Sequence, residues 1–189
     1  MKVISGSLKG RNIIGFDIEG TRPTMDRVKE SLFASIQGKV KDSIVLDLFS
    51  GSGNLGIEAI SNGSKLVYFN DFNKESVKVI KKNLDNFGIN SCSQVLNMDY
   101  LKCLDYLKGV KFDLIFLDPP YKMLVIPDIL RIILTNNLLN DDGLVICEVS
   151  SDLESYPGYE LIKEKKYGDK KVYIYRRLTI RSQVIFDKK

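Results

Sequence analysis

Apolar positions along this chain change their period several times, and each period predicts an element. In "TRPTMDRVKESLFASI", Val28, Leu32 and Ile36 recur every fourth residue with Phe33 beside them, which is one face of a helix. Thr24 reads as its N-cap, and Arg22-Pro23 as an extended entry. Residues 2–16 predict two short strands, "KVISG" and "RNIIGF", around the turn Ser7-Leu8-Lys9-Gly10. From residue 43 short apolar runs alternate with helical stretches. The strands are "SIVLDLF", "KLVYFN", "SQVLNM", "FDLIFL" and "GLVICEV". Between them lie helices over 55–62, 74–87, 100–107 and 126–138, with Val77, Ile80 and Leu84 sharing one face of the second. Such alternation predicts an α/β chain whose parallel sheet carries helices on both faces. The end differs: "YELIKEKKYG" and "KKVYIYRRL" flank the turn Gly168-Asp169 and predict an antiparallel C-terminal hairpin.

Composition narrows the chemistry. The 189 residues suit one domain with a full core, and 44% apolar with 28% charged residues is ordinary for a soluble globular chain. No apolar run approaches the roughly 20 residues of a membrane span. "MKVISGSLKG" lacks the apolar core of a secretion signal. Three scattered cysteines, Cys92, Cys103 and Cys147, suggest reduced thiols and a cytoplasmic location. The lack of histidine and of a CxxC pair argues against a zinc site, and the lack of histidine excludes any imidazole-based nucleophile or acid–base step. Charge is uneven: residues 1–41 carry +4, residues 42–162 carry −7 and residues 163–189 carry +7. Two basic ends around an acidic middle would make a phosphate-binding surface if they met in space.

The run "DLFSGSGNLG", residues 47–56, contains G-x-G-x-x-G, the spelling of a dinucleotide site. Ser50, Gly51 and Gly53 form a loop over which a cofactor can approach the backbone, before a helix with free N–H groups. Asp71 ends the next strand, where a carboxylate can hold ribose hydroxyls. Asp47 separates the candidate ligands. It would repel a pyrophosphate but favour the ammonium and sulfonium of S-adenosylmethionine. At an effective dielectric of about 20, a charge pair at ~4 Å is worth on the order of 4 kcal/mol, of opposite sign for the two. A strand-end aspartate capping the loop backbone is the alternative for Asp47 alone. Asp99, with Tyr100 next to it, could receive an adenine amino group or serve as a helix N-cap. Phe72 could pack on adenine or in the core.

The run "FDLIFLDPPYK" ends a buried strand in Asp118-Pro119-Pro120-Tyr121. Two prolines fix the backbone and remove two donors, leaving a carboxylate, a carbonyl and a ring at the carboxyl end of the strand. That set suits an exocyclic amine. Asp118 and the Pro119 carbonyl can each accept one N–H, and the base ring can lie on Tyr121. Positioning then supplies much of the catalysis, and no histidine is needed. The departing proton could go to Asp118 or to water. A stacked base must be turned out to reach this corner.

Together these residues resemble the Asp/Asn-Pro-Pro-Tyr/Phe class of S-adenosylmethionine-dependent N-methyltransferases. With "VISGSLKGRNI", "TRPTMDRVKESLF", "DLFSGSGNLGIEAISNG" and "DLIFLDPPY", the chain looks like the small-subunit (16S) ribosomal RNA guanine-N2 methyltransferase family known as RsmD, across residues 2–177. The resemblance implies a Rossmann-like class I methyltransferase fold, a mostly parallel seven-stranded sheet, preceded here by the short N-terminal hairpin. It implies one domain over 1–189: an RNA-binding extension (1–41), a cofactor-binding and catalytic core (42–178) and a tail (179–189) with no assigned role. It places cofactor contacts at Asp47, the Gly51–Gly53 loop, Asp71 and Asp99, and the target amine at Asp118 to Tyr121. The family usually has Glu where this chain has Asp71, in a run like "VEKD" that here reads "NDFN". RNA contacts are implied at Lys9, Arg11, Arg22, Arg27 and Lys122; surface solubility is the alternative for each, or an ion pair of Arg27 with Glu30. The partner would be small-subunit ribosomal RNA or an assembling ribosomal particle, bound by a monomer without metal or membrane. Adenine-N6 methylation of DNA or RNA fits the same corner. A nicotinamide-dependent oxidoreductase and a non-catalytic RNA-binding scaffold are the readings from other classes.

Overall fold

The computed structural model describes residues 1–15, 22–120, 125–153 and 155–178, with side chains in the first helix from residue 26 onward. Seven strands, β1 (Ile44–Asp47), β2 (Leu66–Asn70), β3 (Ser93–Leu96), β4 (Phe112–Leu117), β5 (Leu139–Val149), β6 (Tyr159–Tyr167) and β7 (Lys170–Arg177), form one sheet in the order β3-β2-β1-β4-β5-β7-β6. Strands β1 to β5 pair in parallel, and β7 runs antiparallel to both β5 and β6. The helices are α1 (Arg22–Val40), α2 (Asn54–Ser61), α3 (Lys74–Phe87), α4 (Tyr100–Tyr106) and α5 (Ile126–Thr135). This is the mixed α/β sheet with an antiparallel end that the hydrophobic pattern predicts. The chain lays strands outward from β1 to β3, then returns to place β4 on the other side of β1. That reversal opens a crevice at the carboxyl ends of β1 and β4.

Period-two alternation sorts the core into two layers. Val45, Leu114, Phe116, Leu144 and Ile146 face α1, α2 and α3, with Val28, Leu32, Phe33 and Ile36 buried among them. Leu46, Ile115, Leu117, Val145 and Cys147 face α4 and α5. Each fully buried side chain of this size contributes about 1.5–3 kcal/mol, so the two layers together hold the strand ends in place.

The N-terminal hairpin pairs over a shorter stretch than predicted. The Val3, Gly10 and Ile13 N–H groups donate to the Arg11, Val3 and Met1 carbonyls around an antiparallel bridge of Lys2 with Asn12, and a 3-10 turn at Gly6–Leu8 ends the pairing. Past Val3 a carboxylate takes the next N–H groups. The backbone N–H groups of Ile4 and Ser5 donate to the Glu58 carboxylate at 3.0 and 2.8 Å. Glu58, wholly buried on α2, is matched by Lys29 of α1, itself 2% exposed. The Lys29 Nζ donates to Glu58 Oε2 at 2.9 Å, to the Lys2 carbonyl at 2.6 Å and to Asn54 Oδ1 at 2.7 Å. Burial pushes the Lys29 ammonium below its ordinary pKa, and Glu58 pulls it back up. Pairing and full hydrogen bonding are what make such charges tolerable inside a protein.

Three boundaries also differ from the pattern by three or more residues. Helix α1 begins at Arg22, so Thr24 lies inside it rather than at its N-cap. Pro23 in the first turn loses nothing, because that N–H has no helical partner anyway. Helix α5 stops at Thr135, with Asn137 in a left-handed conformation (φ 53°). Strand β5 starts at Leu139, where a register shift between Phe112 and Leu114 lets it pair earlier than "GLVICEV" suggests.

Candidate functional site

Strand β1 ends at Asp47, and the loop to α2 turns on Gly51 and Gly53, both left-handed (φ 54° and 82°). Only glycine adopts these angles without strain. A Cβ built on Gly51 meets nothing within 4 Å, so the space above this peptide is open to a ligand. Beneath the loop, Asp47 is 2% exposed and its Oδ2 accepts the Gly56 N–H at 3.0 Å. The capping alternative for Asp47 is therefore formed. Its Oδ1 has no hydrogen-bond partner among the described residues. Burial pushes the Asp47 carboxyl up to about 7, the Gly56 N–H opposes this, and Asp71 adds to it.

Asp71 braces the same loop. Its Oδ2 accepts the Gly51 N–H and its Oδ1 the Asn73 N–H, each at 2.8 Å. Each carboxylate oxygen keeps a second lone pair. Ser50 is buried, and its Oγ donates to the Asp47 carbonyl at 2.7 Å. Phe72 is 77% exposed, which rules out the core alternative and leaves a ring at the rim of the crevice. Asp99 caps α4, its Oδ1 accepting the Leu101 N–H at 3.0 Å, and Tyr100 packs against Phe49 with ring centroids 5.8 Å apart.

On the neighbouring strand, β4 delivers Asp118 half-buried, Pro119 buried and Pro120 exposed at the crevice. Burial first, then the Glu148 carboxylate and Asp47, push the Asp118 carboxyl up to about 7; Lys170 opposes them. Two acids that both resist ionisation, on adjacent strands, favour a cationic guest between them. Tyr121 and Lys122 lie outside the described residues.

Of the basic positions, Lys9, Arg11 and Arg27 are exposed. Arg11 is already engaged: its guanidinium donates to the Asn86 carbonyl at 2.6 Å and lies 4.5 Å from the Phe87 ring centroid. That is a helix C-terminus binding a cation. No Arg27–Glu30 ion pair forms among the described residues. The Arg22 side chain and the tail 179–189 lie outside the description.

The amides that hold the site together escape sequence reasoning. Asn70 Nδ2 donates to the Leu48 and Met98 carbonyls at 3.1 Å each, and Asn70 Oδ1 accepts the Met98 N–H, tying the ends of β1, β2 and β3. Asn83 of α3, wholly buried, donates to the Ser52 and Ile14 carbonyls at 3.0 and 2.9 Å. The signal available was an amide interrupting an apolar face, which names no partner. Among the described residues no cluster of His, Cys, Asp or Glu could hold a metal ion, and no helix is long and apolar enough to cross a membrane.

The profile of the family described as "Conserved hypothetical protein 95" matches residues 1–176. The chain is 35% identical over 175 residues to "Ribosomal RNA small subunit methyltransferase D" of Haemophilus influenzae, covering 89% of each. The solved structure of yhhF from Escherichia coli is 28% identical with a TM-score of 0.83, covering 94% of this chain and 97% of that one. SMU.776, solved with S-adenosylhomocysteine, shares the fold at a TM-score of 0.67 and 16% identity, covering 81% of this chain and 49% of that one.

Proposed function

The chain belongs to the Conserved hypothetical protein 95 family, the RsmD family, and from that premise we propose that it methylates the exocyclic N2 amine of a guanine in small-subunit ribosomal RNA, using S-adenosylmethionine. The observation that carries the reading is the adjacency of two features on neighbouring strands: the glycine loop over buried Asp47 on β1, and the Asp118-Pro119-Pro120 corner ending β4. The Haemophilus relative's name supplies the RNA.

The cofactor's fit rests on this chain's own groups. Asp47 offers an oxygen to an ammonium, Asp71 keeps lone pairs for ribose hydroxyls, Gly51 leaves the backbone open, and Phe72 offers a ring face at the rim. Bound there, S-adenosylmethionine supplies an electrophilic methyl group on a cationic sulfur. The protein's part is positioning and proton handling. Asp118 and the Pro119 carbonyl accept the two N–H bonds of the amine and aim its nitrogen across the crevice. A carboxyl whose affinity for protons lies near neutrality is suited to hold the proton the amine gives up. Tyr121 is proposed as the ring beneath the base. A single domain over 1–189 is retained, with RNA held at Lys9 and Arg27.

The test is methyl transfer to small-subunit RNA from cells lacking the mark, with wild type and Asp118→Ala, followed by mapping of the modified base. Guanine-N2 methylation by wild type, absent in the variant, is expected. A methyl on adenine N6, or NAD binding in place of S-adenosylhomocysteine binding, overturns the reading.

A further inference from the structure

Three side chains stand in a row across the carboxyl edge of the sheet. The strands β1, β4, β5 and β7 are consecutive neighbours. Leu117 of β4 pairs with Cys147 of β5, so the next residues, Asp118 and Glu148, lie side by side. The alternation that sends Phe116 and Ile146 to the α1–α3 face sends Asp118 and Glu148 to that face too. Strand β7 runs the other way. Val172 pairs with Glu148, and Lys170, two residues earlier on the same face, reaches back to Glu148 Oε1 as an ion pair. Neighbouring strands lie about 5 Å apart, so the row reads acceptor at Asp118, acceptor at Glu148, donor at Lys170. Glu148 and Lys170 are both largely but not fully buried, at 14% and 20% exposure, at the open end of the sheet.

Guanine presents the complementary order along its Watson–Crick edge: donor N2–H, donor N1–H, acceptor O6. Resting on the guanine-N2 reading above, we propose that Glu148 and Lys170 are the specificity-determining residues of the base pocket. Glu148 accepts N1–H through Oε2, and Lys170 donates to O6, while Asp118 holds N2. The same row rejects adenine. With adenine N6 at Asp118, the N1 lone pair faces the Glu148 carboxylate, acceptor against acceptor, and the 6-position order is lost. A polar site built for one hydrogen-bonding pattern discriminates strongly because its groups are left unpaired by the wrong base.

The test is a ratio. Small-subunit RNA is prepared with guanine or with 2,6-diaminopurine at the modified position. Diaminopurine keeps the N2 amine but replaces N1–H by a lone pair and O6 by an amine. Wild type should prefer guanine by on the order of 10⁴ in kcat/KM. In Glu148→Gln the amide can donate to the diaminopurine N1, and the preference should fall by about ten- to a hundredfold. In Lys170→Gln the amide oxygen can accept from the 6-amine, and the ratio should fall likewise; this second variant carries the test if the first does not fold. A role only in holding Asp118, or in the fold, would slow both RNAs equally. An unchanged ratio in both variants, with wild type active on guanine, overturns this proposal alone. Wild type that methylates neither RNA overturns the guanine-N2 reading, and this proposal with it.

Discussion

Asp47 offers a test that needs no RNA. Its carboxyl is pushed up to about 7 by burial beneath the glycine loop. At pH 5.5 a group with that pKa is ionised in roughly 3% of molecules and at pH 7.0 in about half. If the cofactor's ammonium docks against the ionised carboxylate, binding expels the proton. Apparent affinity for S-adenosylhomocysteine should then rise about fifteenfold between these two pH values. The range stops at pH 7 because an α-amino group begins to lose its own proton near ~8. Calorimetry in two buffers of different ionisation enthalpy should show proton release on binding at pH 6. Asp47→Asn keeps an acceptor for the Gly56 N–H, so the loop is retained. That variant should bind more weakly at pH 7 and with no proton release. Stability of the ligand-free protein should run the other way. A carboxyl whose folded pKa is raised contributes stability that is complete below its unfolded value near ~4 and lost as pH rises through about 7. Asp47→Asn should therefore melt higher than wild type at pH 8. Equal affinity of wild type at pH 5.5 and 7.0, with no proton released, would refute the claim that this carboxylate meets the cation.

Other expectations follow from contacts already described. Glu58→Ala leaves Lys29 charged and unpaired in the interior and should cost about 3–5 kcal/mol in urea unfolding. Gly56→Ala brings a Cβ to 2.2 Å from the Phe69 ring in a packed core and should cost about 1–3 kcal/mol in the same measurement. Lys9→Ala should weaken RNA binding and flatten its salt dependence by about 0.7–0.9 in log–log slope if it meets one phosphate. Arg11→Ala should instead lower the melting temperature, because that guanidinium is tied to the end of α3.

Residues whose role is set by their own strand were legible in the sequence. "FDLIFL" gave β4 to the residue, and the abrupt stop at Asp118-Pro119 announced the corner. Lys74–Phe87 was equally plain, since Val77, Ile80 and Leu84 keep one helical face. Residues whose role depends on a distant partner were not. Glu58 sits among apolar neighbours in "NLGIEAIS" and gives no hint that its partners are Lys29, Ile4 and Ser5. The N-terminal pairing is short for that reason: it holds as far as Val3, and past it a carboxylate over fifty residues away takes the N–H groups. Arg11 looked like a free cation for the same lack of a visible partner.

The buried Lys29–Glu58 cluster has a bearing on how the molecule is handled and made. Lys2, Ile4 and Ser5 are structural parts of it, and Asn54, the first residue after the glycine loop, is another. Removing the opening residues would leave the buried Glu58 carboxylate without the Ile4 and Ser5 N–H groups and Lys29 without the Lys2 carbonyl, with their mutual ion pair and Asn54 left to hold them beneath α2. During synthesis, these residues emerge before Glu58 and have no berth until it has followed them, so this stretch must wait exposed while the chain between is built.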